Sequence, residues 1–546
     1  MLELKREAAK VLSEATGKTV TVESLSPAPK PEMGFFSSRV AFELGGNPAE
    51  KAKEVAAKIK SPLFTAKAIG PYVNFFPSED YSKQLAEKIL AERDAYGKGE
   101  KKKEKVMVEY SQPNTHKAFH IGHIRGTSLG YSLAEIMEHA GYEVVKANYQ
   151  GDVGAHIAKC LWAMQKFHAG EEPPAAKGKW LAEIYREANQ KLKDNPDYEE
   201  EVKAVFHKMF FDKDPELTKL WQETRQWSLD EFEGIYKEMG VSFDVNFFES
   251  QVENEGVKIV NKMLADGLAK KDDGAIIIDL DKLGVFLLLR SDGTPLYSTK
   301  DIELAAKKFK EYKVDKSIYV TGSEQKHYFQ QLFKALEVMG FEQAKKCVHI
   351  PFELVMLPEG KMQTREGTVI FYEDFAKEAK DRALKEVQAK NPDLEDKEGV
   401  ARAVGIGAIK YSMLKVSNTK TIVFDWEKAL SFEGETAPYI QYANVRCHSI
   451  LEKAGKKGKA GTVNAPELIY ELSRFDDVVA EAAKEYSPHV LALYAYSLAD
   501  AFSGFYTKQQ VIGSDDEDAL LALVEAASVV LENTLRLLGI EAPRRM

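Results

Sequence analysis

The chain has 546 residues, which is too long for one hydrophobic core and predicts two to four domains. Hydrophobic residues make up 44% of the chain and charged residues 29%, as in a globular enzyme. The net charge is −10, so the overall charge gives no support for nucleic-acid binding. The cysteines Cys160, Cys347 and Cys447 form no CxxC pair, so we expect neither disulfides nor cysteine-bound zinc. No apolar leader and no long uncharged apolar run is present, so we expect a cytoplasmic protein without a membrane span.

The first 100 residues mix helical and strand patterns. Strands are predicted at 35–36, 40–42 and 71–76, and helices at 50–60 and 79–93. We interpret residues 1–100 as a separate α+β module. The basic run that follows it, 101–105, is typical of a solvated linker, with a phosphate contact as the alternative.

An apolar strand at 106–108 is followed by a polar turn and by a helical pattern that begins near Gly126. A strand, a sharp turn and a helix N-terminus form a phosphate-binding corner, because unpaired N–H groups and the helix dipole favour negative charge there. His120 and His123 can point at a bound triphosphate. Gly122 has no Cβ, so an adenine ring can approach the backbone closely. The alternative is a capped helix with two surface histidines.

The patterns then alternate along the chain. A strand at 144–149 precedes a mostly helical stretch, about 155–270, and further strands follow at 275–279, 285–290, 318–320 and 348–350. This alternation predicts an α/β domain at 101–430, with a Rossmann-like parallel sheet that is split by the helical insertion. Beyond about residue 398 the patterns are almost all helical, and we predict an all-helical domain at 431–546.

Two motifs resemble those of a known family. The pattern Ser-x-Pro-Asn-x-x-Lys-x-x-His-x-Gly-His-x-Arg at 111–125 resembles the signature of class I aminoacyl-tRNA synthetases and, among these, of the arginyl-tRNA synthetases. The segment Glu-Gly-Lys-Met-Gln-Thr-Arg-Glu-Gly at 359–367 resembles the KMSKS loop, which in class I enzymes closes over ATP. The resemblance covers nearly the whole chain.

The resemblance implies a ligase that activates L-arginine with ATP to arginyl-adenylate and transfers the arginyl group to the 3′-terminal ribose of tRNA(Arg). ATP would be a substrate and would bring Mg²⁺. The resemblance also implies an N-terminal module that contacts the tRNA elbow and a helical domain that binds the anticodon. We expect a monomer that binds no zinc and no membrane.

The resemblance also implies which residues act on ATP. The catalytic residues would be Lys117, His120, His123 and Lys361, and ATP would also contact Gly122 and Met362. The loop departs from the family pattern, because Thr364 stands where a second lysine is usual. Lys117 matches the lysine by which the arginyl family replaces that cation. Glu366 lies beside the loop, and we have no physical account of an acidic residue there.

The arginine pocket is expected to contain carboxylates, because a guanidinium presents a planar fork of donors. The resemblance implies that arginine contacts Glu109, Asn114, Tyr297, Asp301 and Gln325, with Asn114 and Gln325 at the α-amino and carboxylate end. The i, i+4 spacing places Tyr297 and Asp301 on one helix face. An exposed helix face without a ligand is the alternative for these two.

The expected tRNA contacts lie at both ends of the chain. The resemblance implies that Asn74 and Phe76 contact the tRNA elbow, and Tyr439 and Tyr442 could stack on anticodon bases. The alternatives are a buried strand end for Phe76 and core packing for the aromatic residues near 440.

Three other functions are compatible with parts of the pattern. Another class I synthetase, such as the cysteinyl type, would be expected to show zinc-ligand cysteines. A small nucleotidyltransferase with the HxGH motif would lack the two flanking domains. A tRNA-binding relative without catalysis would be expected to have lost the histidines or the lysines, and all of these are present.

Overall fold

The computed structural model describes residues 1–28, 31–78, 80–358 and 370–546. The chain divides into two compact units. We call Met1–Glu100, Ala383–Gly407 and Leu430–Met546 the terminal unit, and Lys101–Arg382 and Ala408–Ala429 the central unit. Residues 1–100 and 431–546, which the sequence suggested as two domains, thus belong to one unit, and the predicted division into three remains a prediction.

The N-terminal part of the terminal unit is built on an antiparallel sheet with the strand order β1-β2-β4-β3. Its elements are α1 (Leu2–Thr16), β1 (Leu25–Pro27), β2 (Phe36–Ser38), α2 (Pro48–Lys58), β3 (Phe64–Ile69), β4 (Tyr72–Pro77) and α3 (Tyr81–Glu92). Helix α2 begins at Pro48 because the Asn47 side chain accepts a hydrogen bond from the Ala49 amide and proline fits the first helical position.

The central unit is built on five parallel strands. The elements up to the sheet's third strand are β5 (Lys105–Glu109), α4 (Ile121–His139), β6 (Glu143–Gln150), α5 (Ala155–Phe167), α6 (Lys177–Asp194), α7 (Tyr198–Phe210), α8 (Pro215–Met239) and β7 (Val245–Phe248). The following elements are α9 (Glu249–Ala265), β8 (Lys270–Asp272), β9 (Ala275–Asp279), β10 (Val285–Leu289), α10 (Tyr297–Tyr312), β11 (Lys316–Gly322), α11 (Lys326–Val338), β12 (Cys347–Phe352) and β13 (Val355–Met356). Helices α12 (Tyr372–Lys390) and α13 (Lys397–Leu414) have residues in both units, and β14 (Ile422–Val423) and α14 (Trp426–Ala429) complete the central unit.

The strand order β12-β11-β5-β6-β7 contains a topological switch point. From β5 the chain adds β6 and β7 on one side, and it then adds β11 and β12 on the other side. In open parallel sheets, ligands bind outside the carboxyl ends of the strands at such a point. Val106, Met107 and Val108 of β5 are fully buried, as expected for a strand that is covered on both faces.

Two short segments differ from the prediction. Residues 40–42 lie in a 3-10 helix, Val40–Glu43, because the Ser38 hydroxyl accepts a hydrogen bond from the Val40 amide and turns the backbone out of the sheet. Strand β7 lies inside the stretch that was predicted as a helical insertion. That insertion therefore consists of α5–α8 and ends before the edge strand of the sheet.

Four helices complete the terminal unit. They are α15 (Ala437–Ala454), α16 (Pro466–Lys484), α17 (Pro488–Lys508) and α18 (Glu517–Leu537). The Thr436 side chain caps α15 by accepting a hydrogen bond from the Tyr439 amide. Much of α18 is buried, including the apolar stripe that the sequence showed. In the described ranges, no helix is long and apolar enough to cross a membrane.

Candidate active site

The loop between β5 and α4 has an unusual backbone. Ser111, Gln112 and His116 have φ angles of 79°, 48° and 61°, a region that residues other than glycine rarely adopt. Hydrogen bonds from neighbouring elements hold this conformation: the Gln112 amide donates to Asn148 Oδ1 of β6 at 3.1 Å, and the His116 amide donates to Ser228 Oγ of α8 at 2.9 Å. Such strain is common at functional sites, where the surrounding structure compensates for it.

The two histidines of the HxGH motif form the N-terminus of α4. His120 Nδ1 accepts a hydrogen bond from the Gly122 amide at 3.1 Å, and His123 Nδ1 accepts one from the His120 amide at 3.1 Å. The helix therefore begins at Ile121, before the predicted start near Gly126. The sequence did not show this start because histidines provide the caps in place of the usual Ser, Thr, Asp or Asn.

These caps determine what the histidines can offer to a ligand. Burial lowers the pKa of His120 to about 4, with the charge of Lys117 adding to the effect, and burial also lowers the pKa of His123. Both rings are therefore neutral at pH 7. Because each Nδ1 is an acceptor, each proton is on Nε2. The corner thus presents two neutral N–H donors, and the positive charge beside it comes from Lys117.

Lys117 lies in the same loop, with its Nζ 5.5 Å from the ring centre of Tyr185 on α6. Within the described ranges it makes no ion pair with a carboxylate, so its charge is available to a phosphate. Lys361 and Met362, the predicted contacts from the second motif, lie outside the described residues, as do Thr364 and Glu366.

A cavity of 410 Å³ opens at the switch point between β5 and β11. Its lining includes all five residues that were predicted to contact arginine, namely Glu109, Asn114, Tyr297, Asp301 and Gln325. The structure therefore brings together residues that are almost 220 positions apart in the sequence. Asn114 lies directly against Gly151, where a Cβ would be 2.0 Å from Asn114 Oδ1, so a larger residue there would displace the Asn114 side chain.

Asp301 has the most perturbed carboxyl group of the cavity. Burial raises its pKa to about 7, and the nearby carboxylates of Glu109 and Glu249 add to this, while a hydrogen bond from the Tyr328 hydroxyl opposes it. Its Oδ1 is buried and has no hydrogen-bond partner in the described part of the chain. Asp301 can therefore accept a cationic donor from a ligand.

Glu109 already has a partner. The residue is buried, and its Oε2 lies 2.6 Å from Nζ of the fully buried Lys308. Its Oε1 accepts a hydrogen bond from Gln112 Nε2 at 3.3 Å. The sequence gave no indication of Lys308, because no motif contains it.

Tyr149 and Glu249 are among the lining residues that were absent from the prediction. Tyr149 of β6 has a buried hydroxyl without a hydrogen-bond partner among the described residues. Glu249, the first residue of α9, lies 2.7 Å from Lys300 Nζ through its Oε2. The sequence gave one indication that Tyr149 could line the site, namely its position near the carboxyl end of a predicted strand. Glu249 lies in the stretch that was read as a helical insertion.

Comparison with known proteins identifies the family. The model "tRNA synthetases class I (R), catalytic domain" matches residues 85–426, and the model "DALR anticodon binding domain" matches residues 440–546. The chain belongs to the class I arginyl-tRNA synthetases. This confirms the resemblance and, with the parallel sheet and the flanking parts, the predicted fold class.

Full-length relatives agree with this assignment. The arginine–tRNA ligase of Clostridium acetobutylicum is 38% identical, covering 98% of this chain and 99% of the relative, and that of Halothermothrix orenii is 36% identical, covering 95% and 94%. The solved arginyl-tRNA synthetase of Thermus thermophilus is 27% identical with a TM-score of 0.83, covering 100% of both chains. That of Plasmodium falciparum, at 19% identity and a TM-score of 0.79, shares the fold.

The residues that were expected to contact tRNA lie in the terminal unit and differ in exposure. Asn74 is buried, and its Nδ2 donates to the Met33 carbonyl at 2.6 Å. Phe76 is half-buried, with Lys67 Nζ 4.9 Å from its ring centre. Tyr442 is 39% exposed, while the half-buried Tyr439 donates a hydrogen bond to Asp500 Oδ1 at 3.2 Å. Tyr442 and Phe76 therefore have ring surface that RNA can reach.

Proposed function

We propose that the cavity at the switch point binds L-arginine and that the HxGH corner beside it binds ATP. The observation that carries this proposal is Asp301, a carboxyl group with a buried oxygen and no ion pair within the described ranges, which lines the cavity together with the four other predicted contacts. A guanidinium supplies the charge and the donors that this group lacks. The protein would then activate arginine to arginyl-adenylate and transfer it to the 3′-terminal ribose of tRNA(Arg).

In this arrangement the guanidinium donates to Asp301 and to Oε1 of Glu109, with the Tyr149 hydroxyl as a further partner. Oε1 of Glu109 already accepts one hydrogen bond from Gln112, and a carboxylate oxygen can accept a second. The α-amino and carboxylate end lies near Asn114 and Gln325. The arginine carboxylate attacks the α-phosphate of ATP, and pyrophosphate leaves. No side chain acts as a nucleophile, so the rate depends on positioning and on stabilisation of charge.

The phosphates of ATP, which enters with Mg²⁺ as part of the substrate, would lie at the N-terminus of α4. His120 and His123 would donate from Nε2, and Lys117 would supply a positive charge. Gly122 would leave room for the adenine ring. Lys361 and Met362 are also proposed to contact ATP, and for these two residues the proposal rests on the sequence alone.

For tRNA, a group of neighbouring cations and aromatic rings in the terminal unit supports an anticodon-binding role. Lys390 lies 4.4 Å from the ring centre of Phe432, and the Arg446 guanidinium lies 4.9 Å from the ring centres of both Tyr442 and Tyr506. We call these five residues the aromatic row. Bases stack on such surfaces, and cations beside them favour the RNA backbone. At the elbow, Phe76 would contact tRNA, while Asn74 would act by holding the Met33 backbone.

We further propose that the protein acts in the cytoplasm as a monomer. The experiment that tests the whole assignment is aminoacylation of total tRNA with each of the twenty amino acids. Arginine alone should be attached, and attachment of another amino acid with equal efficiency would contradict the proposal.

The aromatic row has its own test. Tyr442→Ala should weaken tRNA binding by about 1–3 kcal/mol, the range for loss of one stacked base. Phe211→Ala removes an exposed ring of similar accessibility from the central unit and is the matched control. Equal tRNA affinity of both variants in a filter-binding assay would exclude Tyr442 as a contact.

A further inference from the structure

The buried lysine behind the cavity wall, Lys308, has no part in the function proposed so far. It is 0% exposed, and it is absent from the cavity lining. Its ammonium lies between Glu109 Oε2, at 2.6 Å, and the ring of Tyr319, whose centre is 3.9 Å away. Glu109 therefore faces the cavity from one side while a fixed cation holds it from the other side.

Helix α10 carries a second lysine in a similar position. Lys300 lies 2.7 Å from Glu249 Oε2 and 3.3 Å from Glu253 Oε2. Of the three carboxylates Glu109, Glu249 and Asp301, two are thus neutralised by lysines of α10. Asp301, on the same helix, is the one of the three without an ion pair among the described residues. Of these three carboxylates, Asp301 thus offers a substrate a charge without an ion pair, and Oε1 of Glu109, which accepts one hydrogen bond from Gln112, can accept a second.

Arginine and lysine use such a site differently. A guanidinium is planar and weakly hydrated, and its five donors can reach two separate acceptors at once. An ammonium is compact and strongly hydrated, so it needs carboxylates close around it to replace its water. Beside Glu109, a substrate ammonium would also meet the charge of Lys308.

We propose that Lys308 is a specificity-determining residue: by pairing with Oε2 of Glu109 it leaves the substrate only Oε1, which it shares with Gln112, so that the cavity accepts the guanidinium of arginine and rejects the ammonium of lysine. This inference rests on the proposed arginine pocket. Lys308 acts through Glu109 and does not contact the substrate. Without it, Oε2 of Glu109 would lose its cation, and Glu109 would regain its full negative charge, which an ammonium could use.

The test is the ratio of kcat/KM for arginine to that for lysine, measured by aminoacylation with Lys308→Met. The change removes the charge and keeps a similar volume. We expect the ratio to fall by about tenfold or more, mainly because lysine becomes a better substrate once the like-charge repulsion that excluded it is removed. An unchanged ratio would overturn the proposal.

Lys300→Met is the matched control, since it removes the other buried lysine of α10. It should leave the ratio close to that of the parent protein. An equal fall in both variants would overturn the proposal, because the effect would then come from the net charge of the cavity and not from Glu109.

Lys308→Met leaves Glu109 buried without a cation, and if this variant does not fold, a second variant is used. Lys308→Arg keeps the charge, and the new guanidinium can occupy both oxygens of Glu109. Lysine should stay excluded while KM for arginine rises severalfold, whereas unchanged arginine kinetics would contradict the role of Glu109 Oε1. The pocket itself is tested separately: an unchanged KM for arginine in Asp301→Asn would refute the proposed arginine site.

Discussion

Asp301 is the residue that links the physical chemistry of the cavity to its substrate. Its carboxyl group has a buried oxygen and lies near two other carboxylates, and its pKa is raised to about 7. In the free protein the group is therefore partly protonated near neutral pH. A guanidinium beside it favours the charged form, so binding of arginine should release a proton.

The pH dependence of arginine use follows from this. The pKa is raised from 3.8 to about 7, so the charged form of Asp301 is present above pH 7 and is lost as the pH falls through 7. We expect KM for arginine to rise as the pH is lowered from about 8 to 6. Asp301→Asn should have a flat profile over that range. A parallel rise in the variant would assign the effect to another group.

Loss of this charge should also affect one substrate only. Asp301→Asn should lower kcat/KM for arginine by an amount equivalent to about 2–5 kcal/mol, since a buried charge loses its partner, and should leave KM for ATP nearly unchanged. Asp272→Asn, at an exposed position in β8, is the control. Citrulline, which is neutral and almost the same shape as arginine, should be rejected. Equal activation of citrulline and arginine would argue against this pocket.

At the scale of elements, helix α4 combines a structural and a chemical function in one side chain. His120 Nδ1 caps the helix, and the same neutral ring offers its Nε2 proton to a ligand. The two functions use opposite sides of the imidazole and can be separated by substitution.

His120→Asn and His120→Ala should separate them. Asparagine is a good N-cap, so His120→Asn should unfold at nearly the same temperature as the parent protein while ATP–pyrophosphate exchange is strongly reduced. His120→Ala should lose the exchange activity and also about 1 kcal/mol of stability, which thermal unfolding would show. Full exchange activity in His120→Asn would mean that the Nε2 donor is not used.

The loop that leads into α4 supports a second prediction. Lys117→Ala should slow adenylate formation with little change in arginine binding, because it removes the cation beside the two neutral histidines. Thr364→Lys in the same chain should restore part of the rate, since it returns a lysine to the second motif. Lys159→Ala, at a lysine that hydrogen-bonds Asn189 on the insertion, is the control. Unchanged turnover in Lys117→Ala would exclude the compensation.

At the scale of the whole molecule, the terminal unit draws residues from three separated parts of the chain. Residues 383–407, which the sequence placed in the catalytic domain, belong to it. There, Gln441 Nε2 donates to the carbonyls of Ala403 and Glu541, and Arg402 pairs with Glu541 at 2.7 Å. The elbow and anticodon contacts proposed for tRNA therefore lie in a unit that is separate from the arginine cavity.

This division bears on activation without tRNA. The second motif has Thr364 in place of a lysine, so attraction between this segment and pyrophosphate is weaker than in the usual pattern. Bound tRNA can favour the active arrangement only by its higher affinity for that arrangement. We expect ATP–pyrophosphate exchange to be nearly silent with arginine and ATP alone and to start when tRNA with an intact 3′ end is added. Rapid exchange without tRNA would show that the site is already assembled.

The sequence by itself determined the parts of this protein that depend on local pattern. The apolar residues 106–108 predicted the central strand β5, and the motif at 111–125 predicted the family. The spacing of Tyr297 and Asp301 predicted their common helix face. Each of these signals lies within a few residues of the chain, where periodicity and residue type carry the information.

The tertiary structure alone decided the charge states and the partners. That Glu109 pairs with Lys308, that Asp301 has a raised pKa, and that Tyr149 has an unpaired hydroxyl could not be read from any motif. These properties depend on burial and on distances of a few ångströms between residues far apart in the chain. Such distances exist only after the strands have paired and the helices have packed, because the dielectric surroundings of a charged group are created by the fold.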